Sequence, residues 1–325
     1  MAYVLRYLAH VWQTPWQTKA LYQKALAIFE EVGDELGKAE ILYRLGWPSA
    51  QLGDYQEADQ LFQNCLTLAQ KHQWRGIILN CLVELGYVHW ALGNYEQAEE
   101  FLRQSTSIAT EIGYHSQIAW TQRYSARLAL SRGDHQTTRN YLQNSLAIYE
   151  ELGLRGMKAE TLAELGQLAA DERDFATARQ LAQDSLALCQ ELEHRTGEIT
   201  PHAVLGEVAT GLGDFEAAEE HFHCALQIAG EVWQPSLALH TLVGLAQLLA
   251  TVGEQARAYE VITLILHHPA SWQWSRDRVA PLVAQLEVDL PTDVVQAIQT
   301  QEKEKELDRV IKELTKLVVP TLPMQ

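Results

Sequence analysis

Gly53-Asp54-Tyr55-Gln56-Glu57-Ala58 decides how the chain is read, because the chain keeps returning to it. Gly93-Asn94-Tyr95 with Ala98, Gly133-Asp134-His135 with Thr138, and Arg173-Asp174-Phe175 with Ala178 follow at intervals of 40 residues. Gly213-Asp214-Phe215 with Ala218 and Gly253-Glu254-Gln255 with Ala258 continue the series at the same interval. Periods of roughly 20–50 residues belong to stacked supersecondary units, so the pattern predicts a solenoid. Each residue type has a physical task. Glycine accepts the left-handed backbone that ends a helix, and Asp or Asn caps the next helix by accepting its free amide hydrogens. Tyr or Phe then opens an apolar stripe, and Ala three residues on lets a neighbouring helix approach. Arg173 stands where the other five copies carry Gly, at a cost of roughly 1 kcal/mol.

A second register runs upstream of each turn. Gly46, Gly86, Ala126, Gly166, Gly206 and Ala246 are all small, and Leu45, Leu85, Leu165, Leu205 and Leu245 precede five of them. A mid-helix glycine costs about 1 kcal/mol against alanine, so its recurrence predicts close helix–helix contact. Downstream, Leu61-Phe62 with Cys65-Leu66 returns as Tyr141-Leu142 with Ser145-Leu146 and as His221-Phe222 with Ala225-Leu226. That spacing marks one face of an amphipathic helix. The unit is helix A, tight turn, helix B.

Repeats of this kind cover residues 36–72, 76–112, 116–152, 156–192, 197–232 and 236–269, with Gly33, Gly113, Gly153 and Gly197 in the links as expected helix ends. Residues 1–32 read as a degenerate first repeat. Leu5, Leu8, Ala9 and Trp12 form its short helix A, a helix starts at Pro15, and Leu21-Tyr22 with Ala25-Leu26 fall in the helix B register. The chain thus opens inside a repeat instead of on a polar cap, which terminal repeats usually need, and an upstream domain is expected. Pro48 falls inside a helix A and is expected to kink it or end it early. The solenoid therefore spans 1–269. Residues 270–325 read as two capping helices, one over Trp272 to Leu290 with Val279, Leu282, Val283 and Leu286 on one face. The other runs to about Val318, with Leu307, Val310, Ile311, Leu314 and Leu317 as its stripe. A dimerising coiled coil is the alternative for this end, and the oligomeric state stays open.

The chain has 325 residues, 47% of them hydrophobic, and a formal net charge of −17 from 42 acidic and 25 basic residues. Such a surface repels phosphates, which are held by Lys and Arg, so direct nucleic-acid binding is not expected, whereas basic partners are favoured. Cys65, Cys81, Cys189 and Cys224 are spread out with no C-x-x-C pair, the usage of free thiols in a reducing cytoplasm. The first residues carry Arg6 and His10 within their apolar part and no cleavage pattern. No apolar run approaches the roughly 18 residues that span a bilayer.

The arrangement resembles the tetratricopeptide repeat. The W-x2-L-G-x2-Y…A-x3-F pattern of that family is matched by Leu42-x2-Leu45-Gly46 with Ala58-x3-Phe62, by Leu82-x2-Leu85-Gly86 with Ala98-x3-Leu102, and by His202-x2-Leu205-Gly206 with Ala218-x3-Phe222. The likeness covers residues 1–269, with a period of 40 where the family has 34 and without its Trp and Pro positions. This 40-residue variety looks like bacterial sensor segments of STAND-type signalling ATPases and transcriptional regulators, and like freestanding scaffolds. The resemblance implies an all-α, α-α superhelix of about seven hairpins whose helix A elements line a concave groove for a protein or peptide. By register, the groove would present Tyr43, Trp47, Tyr87, Trp90, Trp120, Arg123 and Arg127, together with Glu40 and Asn80. Further on it would present Glu160, Gln167, Asp171, Glu207, His240 and Gln247. Tyr, Trp and Arg dominate interface energies; the alternative is that Tyr43, Trp47 and Tyr87 only stack between neighbouring helices. Tyr43 and Trp47 stand where chaperone-binding members carry Lys and Asn, a departure from the carboxylate clamp.

Catalytic chemistry finds no foothold. His221-Phe222-His223-Cys224 has metal-like residues, but zinc needs three or four convergent ligands and His223 points away from the face His221 and Cys224 share. Gly33-Asp34-Glu35-Leu36-Gly37-Lys38 has the wrong spacing for a phosphate loop, and no Ser or Thr follows the lysine. Glu30-Glu31, Glu99-Glu100 and Glu150-Glu151 are adjacent and do not face one another. No enzyme activity, cofactor or metal is expected.

Overall fold

The computed structural model describes residues 14–301 and residue 307. In chain order the helices are α1 (Pro15–Val32), α2 (Glu35–Gln51), α3 (Tyr55–Lys71), α4 (Arg75–Ala91), α5 (Tyr95–Glu111), α6 (His115–Ser131), α7 (His135–Glu151), α8 (Arg155–Asp171) and α9 (Phe175–Glu191). A 3-10 turn at Arg195–Glu198 leads into α10 (Ile199–Leu212), then α11 (Phe215–Glu231), α12 (Pro235–Thr251), α13 (Gln255–His267), α14 (Gln273–Asp289) and α15 (Thr292–Gln301). There is no strand among the described residues, and within α1 to α7 and within α8 to α13 each helix packs against the next. The fold is the all-α solenoid of helical hairpins that the repeat predicts.

The reason for a period of 40 is visible in the backbone. Each helix from α2 to α9 has 17 residues, and three residues separate it from the next. A left-handed residue therefore recurs every 20 positions, at Gly33, Gly53, Gln73, Gly93, Gly113, Gly133, Gly153, Arg173, Glu193, Gly213, Trp233 and Gly253. Arg173 adopts this conformation (φ 61°) like the glycines it replaces. Gly197 does not serve as a helix end. Glu193 takes that role, and Gly197 lies in the 3-10 turn, where a Cβ would come within 2.8 Å of the Cys189 Sγ.

At each turn the chain closes one helix and caps the next. The Asp54 amide donates to the Ser49 carbonyl (2.9 Å) and the Gly53 amide to the Ala50 carbonyl (3.0 Å), the pairing of a Schellman end. Asp34, Asp54, Asp134, Asp174 and Asp214 then accept from the amide three residues ahead. Asn94 makes no such cap; its amide faces His89 Nδ1 at 3.4 Å. Pro48 does not end α2 early. It sits in the last turn, the helix continues to Gln51, and the Pro48 carbonyl still accepts from Leu52 (3.1 Å).

The small residues of helix A receive large ones from helix B. Phe62 lies on Gly46, Leu102 on Gly86 and Phe222 on Gly206. A smaller tie repeats beside them: Cys65 Sγ, Ser145 Oγ and Ser185 Oγ, all fully buried, donate to the carbonyls of Ala39, Ala119 and Ala159 at 3.1, 2.9 and 2.7 Å. The glycines differ in what a methyl group would meet, and this makes a prediction. At Gly46 the new Cβ would press into the buried Phe62 ring, so Gly46→Ala should cost about 1–3 kcal/mol. At Gly166 the nearest atoms are the Ala178 carbonyl at 3.4 Å and the Ala182 nitrogen at 3.5 Å. There the helical preference of alanine should stabilise by up to about 1 kcal/mol. Urea midpoints of the two variants are expected to move in opposite directions.

The chain groups into two compact units, residues 1–154 with Trp272–Trp274, and residues 155–271 with 275–325. In the first, Tyr22, Phe29, Ile41 and Leu45 form a core cluster where α1 meets α2. In the second, Phe222, Leu239, Leu242 and Ile262 form a core that Val279, Leu286, Ile298 and Leu307 join from the carboxy-terminal segment. Tyr259 of α13 donates to Glu287 Oε1 (2.9 Å) and accepts from Gln299 Nε2 (2.9 Å), tying α14 and α15 to the last hairpin. The expected helix A of the first repeat, and the stripe residues Val310, Ile311, Leu314 and Leu317, lie outside the described residues. No described helix is long and apolar enough to cross a membrane.

Candidate functional site

In the first unit the helix A elements α2, α4 and α6 lie side by side, because the helices are of equal length and each turn has three residues. One row of side chains per helix therefore faces the same way. Tyr43 on α2 is half-buried, its ring 5.9 Å from that of Phe62, and Trp47, also half-buried, stands one turn further on. On α4, the rings of Tyr87 and Trp90 are 6.0 Å apart. On α6, the half-buried Trp120 stands one turn before Tyr124, whose ring meets Tyr87 edge-on at 5.8 Å. The Arg127 guanidinium lies over Tyr124 at 5.3 Å and over Trp90 at 5.9 Å, within the range of a cation–π contact. Arg123 is buried beside Tyr124, whose phenol is raised by burial against the smaller opposing pull of Arg127 and Arg123.

At the middle of this wall is a residue that the sequence reading passed over. Glu84 is 2% exposed, and burial pushes its carboxyl up to about 8. Its charge acts on Tyr43, Tyr87 and Tyr124, one tyrosine from each helix, and raises all three phenols on top of the larger effect of burial. A signal was available: Glu84 is the only acid in α4, a helix otherwise rich in Ile, Leu, Val and Trp.

The wall is not open. Trp272 Nε1 donates to the Tyr87 hydroxyl (3.2 Å), and its ring is 5.1 Å from Trp90. Trp274 lies 6.3 Å from the same Trp90 ring. Between them the Gln273 side chain fills the space above Gly93, where a Cβ would come within 2.7 Å of its Cγ. Trp90 is consequently 2% and Trp272 6% exposed. A three-residue segment of the same chain thus covers Tyr87 and Trp90, two of the residues expected by register on the groove.

In the second unit the acids expected on the groove are also engaged. Arg278 of α14 donates to Asp171 Oδ1 (2.7 Å) and approaches Glu207 Oε2 (3.4 Å). Gln167 Nε2 joins the same two carboxylates at 3.2 and 2.8 Å, leaving its own Oε1 buried and without a partner. Burial raises the pKa of Glu207 against the opposing pull of Arg278. Gln247 lines a cavity of about 540 Å³ with Asp171, Glu207 and Arg278 on its walls. His240 is buried, its Nδ1 3.3 Å from Ser275 Oγ, and Glu160 pairs with His194 at 3.1 Å. Elsewhere in this unit His221 faces His202 (Nδ1 to Nδ1 3.2 Å), and burial lowers both, His202 to about 4. No group of three metal-ligating side chains occurs among the described residues.

Comparison with known proteins bears on this geometry. Tetratricopeptide repeat profiles match residues 39–72, 77–151 and 157–231, more than half of the chain. Among curated proteins no relative matches the chain. Several solved structures share its fold at low identity. The apo form of RapI has a TM-score of 0.63 at 13% identity, covering 86% of this chain and 99% of its own. The Rap conjugation gene regulator of plasmid pLS20, in complex with the Phr* peptide, has a TM-score of 0.66 at 12% identity, covering 85% of this chain and 72% of its own. A STAND protein with a tetratricopeptide repeat sensor from Pyrococcus horikoshii has a TM-score of 0.54 at 13% identity, covering 97% of this chain and 50% of its own.

Proposed function

We propose, given that this chain belongs to the tetratricopeptide repeat family, that it is a non-catalytic scaffold or sensor holding a peptide or protein partner. The binding face is the helix A wall of the first unit, with Tyr43, Trp47, Tyr87, Trp90, Trp120, Arg123 and Arg127 as its contact residues. The observation that carries this reading is the company these residues keep. Aromatic rings from three successive helix A elements and a guanidinium gather around a buried carboxyl, an arrangement that serves poorly as core. Such residues are the ones that concentrate binding energy in interfaces. The fold it shares with a peptide-bound regulator is in keeping with a linear ligand. Cytoplasmic location and a signalling role belong to the same proposal.

A second reading makes the chain the regulatory arm of a larger STAND-type ATPase or transcriptional regulator, since it spans half of the Pyrococcus horikoshii protein whose fold it shares. The reading frame upstream of Met1 tests it directly.

For the main reading, linear peptides selected by display against the full chain should bind through this wall. Arg123→Ala with Arg127→Ala should weaken the selected peptides by about 30-fold, roughly 2 kcal/mol, as read by calorimetry on folded protein. Peptides whose affinity ignores these substitutions and Trp47→Ala would remove the wall from the function.

A further inference from the structure

We propose that Trp272-Gln273-Trp274 is a resident stand-in for the ligand of the first unit's wall. That wall then takes linear peptides carrying two closely spaced aromatic side chains and a nearby basic residue, and a partner enters by displacing the chain's own segment. The inference rests on the wall being the binding face, and adds to it the chemistry of the partner and the way the site is regulated.

Four observations carry it. The segment reaches the wall by the contacts a ligand would use: two indoles against Trp90, one hydrogen bond to Tyr87, and an amide side chain over a glycine turn. Trp and Tyr rings combine a large apolar area with a polar handle, which suits them to faces that are covered and uncovered. The segment is also short and irregular at its start. Trp272 precedes α14, and while Trp272–Trp274 groups with the first unit, the residues on both sides of it group with the second. Next, the fit is incomplete. Glu84 is buried in the same wall, and its charge acts on three tyrosines, among them Tyr87, which touches Trp272. The segment's own basic neighbour, Arg276, donates instead to the His268 carbonyl (3.0 Å). A ligand bringing Lys or Arg to Glu84 makes an ion pair that the resident segment does not make, inside aromatic surroundings that favour a cation. Finally, the net charge of −17 draws basic segments towards the chain.

Occupation by its own segment lowers the affinity the wall shows to a ligand by the fraction of molecules in which it is open. The test uses a fluorescent peptide of residues 269–277 (Pro-Ala-Ser-Trp-Gln-Trp-Ser-Arg-Asp) and the full chain. Fluorescence anisotropy should show the peptide binding to the Trp272→Ala, Trp274→Ala chain about tenfold or more tightly than to the unaltered chain. In that background Glu84→Gln should weaken binding about tenfold, and should leave unchanged the affinity of a peptide whose arginine is replaced by glutamine. In the unaltered chain, which avoids any folding defect of the variants, saturating peptide should raise amide hydrogen exchange across residues 270–276. Equal affinity for the two chains, or exchange that does not change at saturation, would overturn the proposal and make the segment ordinary packing. Display-selected peptides that depend on Arg127 yet bind both chains equally would sink this inference and leave the binding face standing. Peptides indifferent to the wall would sink both.

Discussion

Phe222→Ala is expected to lower the stability of the chain by about 3–5 kcal/mol. Phe222 is 1% exposed, and its ring fills the space left by two glycines on consecutive helix A elements, Gly206 and Gly244, each so close that a Cβ would stand 2.7 Å from the ring. One side chain thus packs α11 against α10 and against α12. In a solenoid, stability is approximately a sum of repeat and neighbour terms, so truncating Phe222 removes packing from two interfaces at once. Neither glycine can grow into the void. Urea denaturation should show the loss as a lower midpoint, and hydrogen exchange should place it in α10 to α13 while α2 to α7 keep their protection. Phe222→Leu should recover much of it. A cost below about 1 kcal/mol would mean that the neighbouring helices close over the gap.

Arg278→Met should be comparably costly, about 3–5 kcal/mol at pH 8, for a different reason. Arg278 reaches Asp171 and Glu207, both mostly buried and both already bonded to Gln167 Nε2. Methionine keeps much of the volume and none of the charge, so two carboxylates are left facing each other out of water. Their relief is a proton. Burial already raises the pKa of Glu207, and losing the guanidinium raises it further. The folded variant then binds more protons than the unfolded chain, and its stability rises as pH falls through that folded pKa. The difference between parent and variant should therefore shrink between pH 8 and pH 5. Equal differences in urea midpoint at the two pH values would mean that lost packing, not charge, sets the cost.

The hairpin stack could be read from the chain because its determinants are local and repeated. A left-handed residue, a capping Asp and a small residue in helix A act within one turn or one hairpin. The same demand recurs at Gly53, Gly133 and Gly213 with the same answer. Gly46 and Phe62 could be read as a contacting pair for the same reason. The register also placed Tyr43, Tyr87, Trp90, Arg123 and Arg127 on facing helix A elements, since equal helix lengths carry one row of side chains onto the next. Glu193 and Trp233 were harder. Each takes a left-handed backbone without being glycine, so only the strict spacing of 20 betrays it.

By itself, then, the sequence determined the repeat, the hairpin, the helix A wall and the residues that face along it, because periodic side chains need only short-range geometry to find one another. What lies on that wall was decided by tertiary structure alone. Tyr87 and Trp272 are separated by 185 residues, and Asp171 and Arg278 by 107. No period links them, and Trp272 stands where the repeats have already ended. Contacts of that kind depend on where the folded helices bring the chain back, and only the folded chain carries that information.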